Sequence, residues 1–93
     1  MSATFPLPNL TRYHDVYLST QHSAGATVIA ATGELDAAST DDFTTYAKAH
    51  TGAGQRLTVD LSQLKFFAVE GFSALEDIRS HCNRTGTTWS LVA

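Results

Sequence analysis

The side chains with which this 93-residue chain could do chemistry are four histidines, nine aspartates and glutamates, one cysteine and a scatter of hydroxyls. None of His14, His22, His50 and His81 has a second ligand at the third or fourth position after it, so no metal site is expected. Gly52-Ala53-Gly54 lacks the Lys-Ser/Thr of a phosphate-binding loop and precedes a strand instead of a helix. Ser, His and Asp occur together without a spacing that singles out a triad, so an enzyme ranks last and no cofactor is expected. What remains is binding chemistry at one junction. Ala68-Val69-Glu70-Gly71-Phe72 reads as a strand turning into a helix, whose first free N–H groups and positive dipole end suit a negative group. Glu34 and Asp36 fall at the end of a neighbouring strand, and strand ends with their following turns form the ligand-facing rim of a parallel sheet. They either contact a partner or merely cap and solvate a βα loop.

The elements that position this junction follow from the periods. Leu57, Val59 and Leu61 alternate with Thr58, Asp60 and Ser62, and Leu64, Phe66 and Phe67 form an apolar knot before the turn. From Gly71 the apolar residues Phe72, Leu75, Ile78 and Cys82 recur at helical spacing, and Gly86 is a stop. A strand feeding a helix this closely is half of a βαβ unit. Upstream, Asp15 to His22 and Thr27 to Thr32, joined by Ala24-Gly25, read as an antiparallel hairpin at one edge of the sheet. Ser39 with Asp42 three residues later resembles a capping box for a helix carrying Phe43, Tyr46, Ala47 and His50 on one face, ended by Gly52-Ala53-Gly54. Residues 1–12, with Pro6 and Pro8, are expected to be an extended arm, and 13–93 one α/β domain: a mixed sheet of the hairpin plus parallel βαβ units, with helices packed against it. The last strand, Thr87 to Ala93, is apolar in the manner of a central strand.

Read as D-L-S-x-L-x-F-x-A-V-E-G-F-x-x-L, Asp60 to Leu75 resembles the signature segment of STAS domains, the anti-sigma factor antagonists and sulphate-transporter cytoplasmic domains, and Gly33-Glu34-Leu35-Asp36 resembles a second marker of that family. The resemblance covers Asp15 to Ala93 and implies a bacterial transcription regulator that binds an anti-sigma factor or kinase-like protein. Family members carry Asp-Ser-Ser/Thr-Gly where this chain has Ala68, Val69, Glu70 and Gly71, and the partner kinase phosphorylates the first Ser. The aligned Val69 has no hydroxyl, so the usual switch is missing. Ser73 and Ser62 are the nearest hydroxyls that could replace it. The resemblance also implies a further C-terminal helix after Thr87 to Ala93; either the sequence stops short of it or this member is expected to lack it, in which case self-association could close the sheet face it would cover.

The turn has a physical reading of its own. Ala and Val are poor helix caps, which forfeits on the order of 1 kcal/mol relative to Asp or Ser. Glu70 in the first turn recovers roughly 0.3–1 kcal/mol through the dipole. Its charge either imitates a phosphorylated state or simply stabilises the helix start.

Composition narrows the partners. At 43% hydrophobic and 16% charged the chain is a globular domain, too short for a second one. A net charge of −3 with six Lys and Arg and no basic cluster argues against nucleic acid and against an anionic membrane surface. No stretch approaches the roughly 20 apolar residues of a spanning helix, and Cys82 reads as a core residue in a reducing compartment, so a cytoplasmic location is expected. The expected role is non-enzymatic protein binding through Glu34, Asp36 and Ala68 to Phe72. The alternatives are a scaffold that associates with itself, as a homodimer, or with another STAS protein, and a small-ligand sensor on the same rim.

Overall fold

The structure is a computed structural model that describes residues 9–93; the Met1 to Pro8 portion of the expected arm lies outside the described residues. Five strands and two helices follow in the order β1 (Asn9–Tyr13), β2 (Val16–Ser23), β3 (Ala26–Leu35), α1 (Thr40–Lys48), β4 (Arg56–Phe67), α2 (Glu70–Thr85) and β5 (Thr88–Val92). The sheet order is β1-β2-β3-β4-β5, antiparallel across β1, β2 and β3 and parallel across β3, β4 and β5. The mixed sheet with its hairpin and two βαβ connections is the expected one. The hairpin is not at an edge, however, because Asn9–Tyr13 pairs outside β2.

Alternation decides which face is covered. Val16, Leu18, Ile29, Ala31, Leu57 and Val59 point to one face and are fully buried against Phe43 and Ala47 of α1 and Ala74, Ile78 and Cys82 of α2. The opposite face keeps Ser19, Thr32, Thr58 and Asp60, so alternation leaves it mostly polar or small. The β2–β3 turn has two residues, Ala24 and Gly25, with φ of 44° and 79°, and two positive values match the twist that a tight hairpin demands.

Three local expectations change. Ser39 does not cap α1 with its side chain. Its hydroxyl turns back to Asp36, whose Oδ1 accepts from the Ser39 N–H (3.1 Å) while Ser39 Oγ accepts from the Asp36 N–H (3.2 Å), so the reciprocal box closes one turn earlier than the Ser39/Asp42 spacing suggests. The buried stripe of α2 is Gly71, Ala74, Ile78 and Cys82, and Phe72 is 65% exposed. Small residues let α2 sit close to the sheet, which rotates Phe72 out. Finally, β5 is an edge strand, paired among the described residues with β4 alone, and Leu91 and Val92 remain exposed.

Candidate functional site

Strand β4 carries the junction. Its pairing with β3 runs Ala30 to Asp60, then Thr32 to Gln63, then Gly33 to Leu64 and Glu34 to Phe66, so β4 holds an extra residue at each of two irregularities. The first is pinned by Asp60, whose Oδ1 accepts from the Ser62 N–H (2.9 Å) and hydroxyl (2.6 Å). These two donors hold the Asp60 carboxyl below the usual range. The bulges break the simple alternation of the Leu64, Phe66 and Phe67 knot: Phe66 is half exposed while Phe67 turns inward.

Phe67 then fixes the helix entry. A Cβ on Gly71 would lie 2.5 Å from the Phe67 ring, so the absent side chain is the space the ring occupies. Phe72 meets the same ring edge-on at 5.0 Å between centroids. The Ala68 N–H donates to the Leu35 carbonyl at 2.9 Å, which sets the Ala68 to Phe72 turn beside the Glu34 to Asp36 loop. Val69 enters α2 with helical dihedrals, φ −58° and ψ −33°, and no side-chain cap, while Glu70 stands exposed in the first turn. Val69 is 75% exposed, the highest value among the exposed large apolar residues that are described. Asp36 spends one carboxylate oxygen on Ser39; Glu34 is exposed.

Sequence reasoning missed the cleft beside this turn. Leu61, Leu64, Phe66, Phe72, Leu75 and Leu91 line an open apolar space of about 420 Å³. The helical stripe Phe72, Leu75, Ile78 and Cys82 does not mark this cleft, and the side on which Phe66 emerges depends on bulges that periodicity does not show. A second, polar cleft of about 470 Å³ lies between the helices, where Ser73 shares the lining with Asp41, Glu70 and Asp77 against the single cation Lys48. Lys48 is already paired to Asp77 at 2.9 Å. A phosphate on Ser73 would thus enter a predominantly acidic cleft, and Ser62 is bound to the Asp60 carboxylate.

The histidines are less scattered than their spacing implies. His22 and His50 approach to 5.3 Å between ring centroids, with Tyr46 stacked obliquely on His50. Among the described residues no three of His, Cys, Asp and Glu converge as a metal site. Burial, and then the charge of His22, push the His50 pKa below 6.5. A group depressed in this way costs the fold nothing well above pH 6.5, where it is neutral folded or unfolded. Below that the unfolded chain takes up the proton first. The melting temperature is therefore expected to fall as pH drops from 7 toward 5, and His50→Gln is expected to flatten that fall; calorimetry on the two proteins across this range checks it. Cys82 is buried, which pushes its thiol pKa up and makes it a poor nucleophile.

Residues 17–93 match the family model of the STAS domain. The chain belongs to the STAS domain family. The structure is similar to the antisigma-factor antagonist STAS domain from Rhodobacter sphaeroides, with a TM-score of 0.70 at 18% identity over 85% of this chain and 87% of the other. It is also similar to an anti-sigma factor antagonist from Mycobacterium paratuberculosis, with a TM-score of 0.68 at 19% identity over 87% of this chain and 72% of that one. These two share the STAS fold. In sequence the chain is 32% identical over 68 residues to Osmosensory protein A of Mycobacterium tuberculosis, a match spanning 73% of this chain and 43% of that protein. No helix among the described residues is long and apolar enough to cross a membrane.

Proposed function

We propose that this STAS domain is a non-enzymatic antagonist that binds an anti-sigma factor or kinase-like protein through Ala68 to Phe72 and the adjoining Glu34 to Asp36 loop, and that it is held in one state. The observation that carries this reading is the exposure of Val69 and Phe72, 75% and 65%, on the first turn of α2. Val69 touches little of its own protein and Phe72 leaves most of its ring outside its contact with Phe67, so the two present an apolar surface to a partner. Because Val69 cannot carry phosphate, and Ser73 and Ser62 both lie beside carboxylates, binding is insensitive to kinase action. The location this role requires is the cytoplasm.

The test is affinity capture from the cytosol of the source bacterium, with and without ATP, followed by mass spectrometry of the bound proteins and of the bait. Recovery of an anti-sigma factor or kinase-like protein in equal amounts under both conditions, with an unmodified bait, is the expected result. ATP-dependent release, or phosphate on Ser73 or Ser62, would show that the switch had moved; absence of any such partner would overturn the reading.

A further inference from the structure

The exposed edge of β5 has features that the function above does not use. Among the described residues β5 pairs with β4 alone. The Thr88 N–H donates inward to the Gln55 carbonyl at 2.9 Å, so by alternation the backbone polar groups of Trp89 and Leu91 face outward. Edge strands are ordinarily blunted by a charge, a proline or a bulge. Thr88-Trp89-Ser90-Leu91-Val92 contains none of these. The opposite edge strand, β1, does carry a charge, Arg12.

We infer that β5 pairs antiparallel with β5 of a second copy of this chain, about a two-fold axis through Ser90, giving a dimer with one continuous ten-stranded sheet. The strand is complementary to itself in this register. Ser90 faces Ser90 of the second copy, Trp89 faces its Leu91, and Thr88 faces its Val92, so apolar side chains meet on the helix-covered face and small ones on the open face. The same register joins the outward groups of Trp89 and Leu91 in about four hydrogen bonds. Charge agrees. On β4, Arg56 lies beside Thr88 and Asp60 beside Val92, so the axis sets Arg56 of one copy on the side of Asp60 of the other and brings no like charges opposite each other. Trp89 of the second copy arrives beside Leu91 and covers side-chain surface that is exposed in the single chain. An interface built on one short strand dissociates in the micromolar range or above, so concentration is the variable that reveals it.

Sedimentation equilibrium of the full chain from micromolar to near-millimolar concentration, under reducing conditions, is expected to give a monomer–dimer equilibrium, with the emission of Trp89, the single tryptophan, changing over the same range. Ser90→Cys is expected to form a disulfide-linked dimer on mild oxidation, since the two Cα atoms at the axis stand about 4.5 Å apart. Thr88→Cys is expected not to, because its copies are more than about 13 Å apart. Ser90→Lys sets two like charges on the axis at an exposed position and is expected to shift the protein to monomer, with its circular dichroism unchanged. A monomer at every concentration overturns the inference. So does a dimer that survives Ser90→Lys, or one in which Thr88→Cys links as readily as Ser90→Cys. Because Val69 and Phe72 lie on α2 and not on β5, failure here leaves the partner-capture result standing, and failure there leaves this one.

Discussion

Gly33→Ala is expected to lower stability by roughly 3 kcal/mol or more, a large part of what a domain of this size possesses. Two costs coincide at this position. Its φ of 87° lies where a Cβ is disfavoured, and the Cβ would fall inside contact distance of the Asp15 carbonyl oxygen. That oxygen cannot retreat, because it accepts the Glu34 N–H at 2.9 Å and Asp15 leads directly into buried Val16. Gly25 supplies the control. Its φ of 79° is as positive, but a Cβ there meets nothing within 4 Å, so Gly25→Ala bears only the backbone term, about 1 kcal/mol. Thermal unfolding of the two variants separates the steric from the conformational cost: a drop of more than about 12 °C is expected for Gly33→Ala and well under half of that for Gly25→Ala. Equal drops would mean that the contact with Asp15 carries no weight.

Val69→Asp is expected to weaken partner binding by at least about 100-fold while leaving the fold intact. At 75% exposure the side chain touches little of its own protein, so a carboxylate there is solvated in the free domain and adds a favourable charge to the start of α2. In a complex that buries Val69, the same carboxylate loses its water without gaining a partner, and an unpaired charge costs roughly 3–5 kcal/mol in such a place. Titration calorimetry against the captured partner, with circular dichroism of the free variant, reads both halves. Unchanged affinity would remove Val69 from the interface.

The strands, the hairpin turn and the order of helices were legible because their signals are local: alternation at Leu57 and Val59, Ala24-Gly25 between the runs Asp15 to His22 and Thr27 to Thr32, Gly86 after a helical stripe. Membership of the STAS family was legible from Asp60 to Leu75. What failed depended on packing. Two helical stripes on α2 share Ile78 and Cys82, and only the closeness of Phe67 to Gly71 selects the small-residue stripe over the one containing Phe72. Likewise the extra residues in β4 leave no periodic trace, although the Asp60-Leu61-Ser62 step holds the groups that pin the first of them. The pairing of His22 with His50 needed the sheet and α1 to be assembled.

The bond from the Ala68 amide to Leu35 and the seat of Phe67 on Gly71 anchor α2 without using the side chains at positions 69 and 70. Folding and surface chemistry are therefore separable at this corner of the molecule: on the reading proposed above, the residue at 69 can be exchanged, for instance by Val69→Ser, and docking behaviour altered without passing through an unfolded intermediate.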